Sequence, residues 1–179
     1  MWKWIVVLLL FNLLSLITLS GQEKEIIPPL QRIMLLSGNY CELRATHFHA
    51  GSDIRTGGAE GLPVVCIKDG IVSRVRVSPI GYGNALYIDH PDGTTSVYAH
   101  LQQFHPLISG VVKLHQYEKE SFEVDEDMLS WDLRFKQGDT IAWSGNTGSS
   151  GGPHLHFEIR DTKSEYLINP LHFYKIRDK

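Results

Sequence analysis

From Leu62 onward the chain is cut into short apolar runs by glycine-bearing turns, and this pattern limits what it can fold into more than any other feature. Leu62–Lys68 reaches the pair Asp69-Gly70, and Ile71–Val77 follows with Ile71, Val72, Val75 and Val77 set loosely against Ser73, Arg74 and Arg76. A D-G pair between two such runs predicts a hairpin. Gly81–Asn84 turns into Ala85–His90, Pro91–Gly93 into Thr94–His100, and Gly138-Asp139 into Thr140–Ser144. Gly145–Gly152 is a glycine and serine loop, and Leu155–Arg160 is the last clear strand. No long stretch repeats its apolar residues with a 3.6-residue period. The expectation is an all-β domain without internal repeats.

The chain has 179 residues, enough for one modest core. Its 17 basic and 20 acidic residues leave a net charge of -3, and no basic stripe points to nucleic acid. Met1–Ser20 reads as an export signal: Lys3 supplies the positive start, Ile5–Leu19 is mostly Leu, Ile and Val, and Ser20-Gly21 offers small residues at the cut. The competing reading is an uncleaved anchor, for which the apolar stretch is short. Residues 1–21 are therefore assigned to the signal, 22–33 to a leader, 34–170 to the domain and 171–179 to a tail. Residues 102–137 do not fit a simple strand connection and are read as an insertion, either an extra hairpin or a lid beside a cleft. Cys41 and Cys66 either pair in an oxidising compartment or remain separate thiols, and their spacing does not suggest a zinc knuckle.

Chemistry concentrates in two runs, H-A-G-S-D with His49 and Asp53, and G-G-P-H-L-H-F-E-I with His154 and His156. Together they offer imidazoles and a carboxylate to a metal that keeps an open position for water, which fits a hydrolytic zinc site better than a closed one. Residues two apart share a strand face, so His154 and His156 point the same way, one able to hold a metal and the other to face a substrate. His49 and Asp53 sit around Gly51 on a loop leading into a strand. The helical motif H-E-x-x-H is absent, so a general base must come from elsewhere. His100, at a strand end, is the natural candidate because imidazole titrates near neutrality. His90 reads as structural or as a hydrogen-bonding neighbour of the site, and Asp89, Asp92 and Glu158 as groups that could orient a ring nitrogen or bind a substrate amine. His47, His105, His115 and His172 read as ordinary surface or loop residues.

Four segments in order carry a resemblance: H-F-H-A-G-S-D (47–53), G-Y-G-N-A-L-Y-I-D-H (81–90), Y-A-H-L (98–101) and G-N-T-G-S-S-G-G-P-H-L-H-F-E-I (145–159). Over about residues 36–170 the chain resembles the LytM/lysostaphin-type M23 metallopeptidases. The resemblance implies a two-layer antiparallel β structure with a substrate groove across the sheet. It implies Zn2+ held by His49, Asp53 and His156, with His100 and His154 catalytic, and it leaves open which of those two is base and which acid. The implied activity is a zinc endopeptidase cutting peptide bonds in peptidoglycan cross-links or stem peptides, exported to the periplasm or cell envelope. Some relatives of this type have degenerate sites and act as amidase activators, but all five site residues are present here. The expected partner is a peptidoglycan peptide, with membrane contact only through an uncleaved signal segment and a monomer favoured. The long 102–137 segment and the two cysteines depart from the compact family pattern.

Overall fold

The alternation in the last clear strand is realised in β11 (His154–Asp161), which sends Leu155, Phe157 and Ile159 into the main core and His156, Glu158 and Arg160 to the opposite face. The computed structural model describes residues 25–174. The signal assigned to residues 1–21, the first three residues of the leader (22–24) and the end of the tail (175–179) lie outside the described residues. The strands preceding β11 are β1 (Leu36–Gly38), β2 (Ser52–Arg55), β3 (Pro63–Val65), β4 (Gly70–Val77), β5 (Ala85–Asp89), β6 (Thr94–Ala99), β7 (Leu101–Phe104), β8 (Val124–Asp127), β9 (Arg134–Phe135) and β10 (Thr140–Ser144). One helix, α1 (Pro106–Glu118), interrupts them, and β12 (Leu167–Ile168) follows.

Two antiparallel layers result. The larger sheet runs β1-β2-β11-β6-β5-β4-β8, with β12 paired to β11 and β9 to β4; the smaller runs β3-β10-β7. The fold is thus mostly antiparallel β, in line with the all-β expectation, with one helix added. The main core lies between the layers, where Tyr98, Leu86 and Phe157 of the large sheet meet Val64, Leu101 and Ile141 of the small one. A fully buried side chain such as Phe157 or Leu155 contributes roughly 1.5–3 kcal/mol through removal of apolar surface from water. The outer face of the large sheet carries a separate apolar patch of Ala85, Tyr87, Val97 and Ala99, with Tyr82 packed against it.

Two local expectations are corrected. Asp69-Gly70 is not a hairpin turn, because β3 belongs to the small sheet and β4 to the large one. The chain crosses between layers there, with the Asp69 carboxylate accepting from the Gln137 N–H at 2.8 Å. Gly70 is needed for close approach: a Cβ would lie 2.5 Å from Ile88 Cγ2 and 2.7 Å from the Asp89 carbonyl oxygen. The second correction is α1, which no periodicity announced. It buries only Ile108, Val111 and Val112, while Leu107, Leu114 and Tyr117 stay exposed, so the apolar residues spread around the helix rather than forming one stripe. Pro106 in its first turn and His105 as N-cap start it. The 102–137 segment therefore contains most of β7, then α1, β8 and β9, and β8 and β9 extend the β4 edge of the large sheet.

Candidate metal centre

Register builds the site. In the pairing of β11 with β2, His156 stands opposite Asp53; in its pairing with β6, His156 stands opposite Ala99, the residue before His100. Three adjacent strands thus deliver His156, Asp53 and His100 to one end of the sheet's outer face. His154 comes two residues earlier on β11, and His49 from the loop before β2. Gly51 lets that loop lie on β11, since a Cβ would sit 2.3 Å from the Phe157 carbonyl oxygen. His49, Asp53, His100 and His156 are all buried, and His154 is partly so.

His49 Nε2, Asp53 Oδ1 and His156 Nδ1 lie 3.0 Å from one another in all three pairs. Among the described residues these side chains form a group that could hold a metal ion. His154 Nε2 is 3.4 Å from Asp53 Oδ1, and the His100 ring packs 4.8 Å from His154 and 5.8 Å from His156 between centroids.

The outer nitrogen of each ring fixes which atom faces inward. A carbonyl oxygen only accepts, so the Nδ1 facing it must carry the proton. His49 Nδ1 donates to the Asn39 carbonyl at 2.8 Å, His154 Nδ1 to the Gly152 carbonyl at 2.8 Å and His100 Nδ1 to the Thr147 carbonyl at 2.8 Å. His156 instead offers Nε2 to the Glu158 carboxylate at 2.8 Å. The unprotonated nitrogens of His49 and His156 then converge on Asp53 Oδ1. Three acceptors pointing at one spot repel unless a cation joins them. A tetrahedral zinc with bonds of about 2.0–2.1 Å spaces its ligand atoms about 3.3 Å apart, close to the observed separation. The donor set fits zinc chemistry: two imidazoles and one carboxylate, with a side left open.

Electrostatics follows the same design. Burial alone would raise the Asp53 carboxyl, but the facing imidazoles of His154, His156 and His49 hold it far below the usual carboxylate range. Its other oxygen, Oδ2, accepts from Arg44 at 2.9 Å. Burial opposes charge on His154 and His156 as well, yet Asp53 leaves both above the usual imidazole value, helped by the Gly152 carbonyl at His154 and by Glu158 at His156. His100 is the contrast. Burial lowers it to about 4, the Thr147 carbonyl only partly opposing this and the neighbouring imidazoles adding to it. His100 is also the residue at φ 58°, a left-handed conformation costing a non-glycine residue of order 1–3 kcal/mol. Its N–H bonds to the Tyr82 carbonyl at 2.9 Å, which helps hold it there.

The loops around the opening interlock. Ser149 N–H donates to the Gly81 carbonyl at 2.8 Å and the Asn84 N–H to Thr147 Oγ1 at 2.9 Å. Gly148 has φ 72°, and a Cβ on it would meet Gly83 N at 2.3 Å, so glycine is required. A pocket of about 370 Å³ opens over the histidines between these loops and the Arg44–His47 turn. Further along the same sheet face a cavity of about 470 Å³ lies between Arg160 and the β8 edge, where Asp125, Asp127 and Leu129 of the 102–137 segment line it.

Of the weaker candidates, His90 is not near the site. Its Nδ1 donates to the Asp69 carbonyl and its Nε2 meets Ser96 Oγ, which places it in the core beneath the sheet. Asp89 accepts from Ser73 and Thr95, and Asp92 from Lys68, so neither orients a site imidazole. Glu158 does. Arg44 and Tyr82 also line the pocket, with Tyr82 stacked 5.2 Å from His156; the G-Y-G turn is the sole sequence signal near Tyr82, and Arg44 has none. Cys41 and Cys66 are both free, the first exposed and the second buried.

The sequence profile of peptidase family M23 matches residues 47–118, a stretch that contains His49, Asp53 and His100 and ends before the H-L-H block. The DD-carboxypeptidase/endopeptidase Mpg of Neisseria meningitidis is 30% identical over 118 residues, covering 66% of this chain and 21% of that protein. The peptidoglycan DD-endopeptidase ShyC of Vibrio cholerae is 30% identical over 112 residues, covering 63% and 19%. The chain thus spans about a fifth of the length of these curated relatives. Among solved structures, the catalytic domain of lysostaphin from Staphylococcus simulans superposes with a TM-score of 0.53 at 26% identity, covering 78% of this chain and 88% of that one.

Proposed function

Because the chain belongs to peptidase family M23, we propose that it is a zinc-dependent endopeptidase that hydrolyses peptide bonds in the cross-links or stem peptides of peptidoglycan. The observation that carries this reading is the triangle of His49 Nε2, Asp53 Oδ1 and His156 Nδ1, three converging acceptors with two further imidazoles, His100 and His154, beside them. His49, Asp53 and His156 would hold the metal. Zinc bound there would supply a Lewis acid that polarises a carbonyl and makes water acidic enough to attack near neutral pH.

The chain's own residues supply the proton handling. His100 stays neutral at physiological pH because burial holds its conjugate acid near 4, so its Nε2 is free to accept a proton from attacking water. His154 is raised by Asp53 and more readily carries a proton, which suits it to donate a hydrogen bond to a developing oxyanion or a proton to the leaving amine. The Thr147 and Gly152 carbonyls keep both rings turned with Nε2 inward. The open pocket above them would take the peptide around the scissile bond, and the separate cavity toward the β8 edge on the same sheet face would be available to a flanking part of the substrate. Export of the folded domain to the cell envelope follows from this substrate and from the apolar N-terminal stretch, with 34–170 as the peptidase domain and 102–137 as an insertion shaping one end of the groove.

The test is metal content together with product analysis. The purified protein is expected to bind about one zinc per chain, to release peptide fragments from purified peptidoglycan, to stop on chelation and to resume on adding zinc. Mass analysis of fragments from two cross-link types identifies the bond. Protein that binds no zinc and leaves both walls intact overturns the proposal.

A further inference from the structure

Glu158 is fully buried, and the reaction proposed above gives it no role. A carboxylate out of reach of water is costly unless several donors meet it. Here one oxygen faces His156 Nε2 at 2.8 Å and also accepts from the Tyr82 hydroxyl, while the other accepts from Arg160 Nε at 2.7 Å. Arg160 is held in turn, with its guanidinium 5.7 Å from the Tyr87 ring centre and an ion pair to Glu165 at 3.6 Å. Tyr82 lies stacked against the His156 ring. Glu158 and Tyr82 therefore contact the imidazole away from the acceptor triangle, and Arg160 holds Glu158 from behind.

We propose that Glu158, clamped by Tyr82 and Arg160, is the positioning residue of the metal centre: it accepts a hydrogen bond from the Nε2–H of His156 and so commits Nδ1 to the ion. The inference rests on the zinc reading above and deepens it. His49, His154 and His100 have neutral backbone carbonyls as their outer acceptors; of these four rings His156 alone has a carboxylate. An anionic acceptor makes the opposite nitrogen a stronger donor to a metal and excludes the other tautomer. This accounts for the difference between two histidines on one strand face. The ring backed by a carboxylate is suited to binding, and the ring backed by a carbonyl is left to exchange protons. It also accounts for Glu158 and Arg160 following the histidines in the same period-2 register on β11.

Glu158→Gln keeps the shape and removes the charge. Zinc affinity, measured by chelator competition well below the melting temperature so that wild type and variant are both folded, is expected to weaken about 10–100-fold. Tyr82→Phe, which removes one donor to Glu158 and leaves His156 untouched, should weaken it less. In the metal-free protein, at a pH high enough that His156 is neutral, nitrogen NMR of the imidazoles should give the Nε2–H form for His156 in wild type and a tautomer mixture in Glu158→Gln. Wild-type zinc affinity in Glu158→Gln, or an unchanged His156 tautomer, overturns the positioning role. Failure of the wild type itself to bind zinc would overturn the functional reading, and the tautomer measurement would still decide this one.

Discussion

Thr147→Val isolates the bond that ties the glycine loop to the rest of the site. Thr147 Oγ1 accepts from the Asn84 N–H at 2.9 Å and donates to the Leu101 carbonyl at 2.9 Å. Valine fills the same space without either bond. The Leu101 carbonyl still accepts from Asn84 Nδ2 at 3.0 Å, so the group left without its partner is the Asn84 N–H. An unmet, partly buried N–H costs about 1–2 kcal/mol, the lower part of the usual range because water reaches it in part. For a domain of this size each kcal/mol lowers the melting temperature by roughly 2–4 °C, so calorimetry should find a drop of about 2–8 °C. Turnover should fall as well, because the Thr147 carbonyl accepts from His100 Nδ1 and the loosened loop no longer fixes that ring. Zinc affinity should not move, since no residue of the His49, Asp53 and His156 group lies in this loop. A melting temperature within about 1 °C of wild type would refute the role given to the hydroxyl, and a parallel loss of zinc would refute the separation of loop from ligands.

His156→Ala is expected to lose both metal and activity, whereas His154→Ala keeps zinc by metal analysis and loses about 10²–10⁴-fold in turnover, the usual worth of a proton-transfer group; the reverse pattern would exchange their roles. Burial lowers His90 below its ordinary 6.5, so above that pH it is neutral in both folded and unfolded chains, and below it only the unfolded chain readily gains the proton. In urea titrations the stability of wild type relative to His90→Asn should therefore be constant above pH 6.5 and shrink as the pH falls below it. Burial pushes the Cys66 thiol up to about 12, so at pH 8 a thiol reagent should label Cys41 in the native protein and both cysteines only after denaturation.

Where short-range signals coincide with the final pairing, the sequence could be read directly. β5 and β6 form the hairpin that Pro91–Gly93 announces, and β10 occupies the Thr140–Ser144 run. Asp69-Gly70 carries the same kind of signal and misleads, because the partners of β3 and β4 are β10 and β5, distant or later in the chain, and dipeptide chemistry does not encode them. The helix escaped for a related reason. Gly110 and the β-branched Ile108, Val111 and Val112 have poor helix propensity, and packing against the core overrides it. His49, Asp53, His100, His154 and His156 stood out by residue type and spacing, and the register of three strands brings them together. What holds them was less legible. The Asn39, Thr147 and Gly152 acceptors are backbone atoms, which any residue provides, and the burial of Glu158 depends on loops folded over the sheet face.

The backbone acceptors also explain why so much glycine surrounds this site. A ring nitrogen can be aimed by a carbonyl only if the peptide bearing that carbonyl is itself fixed. Thr147 and Gly152 belong to a loop that has no strand ladder of its own, and the loop is fixed instead by packing backbone against backbone at Gly83 and Gly148. The strained φ of His100 is compatible with this arrangement because its N–H and Nδ1 are both satisfied by carbonyls from the two interlocked loops, at Tyr82 and Thr147. Two kinds of rigidity therefore meet at the centre. Asp53 and His156 are set by the strand ladder between β2 and β11, while His100 and His154 take their orientation from the glycine loops. A ladder suits residues that must hold an ion at fixed distances. Under the proposed function, loop carbonyls suit residues that would be aimed precisely enough to exchange a proton yet remain beside the opening through which a peptide would enter.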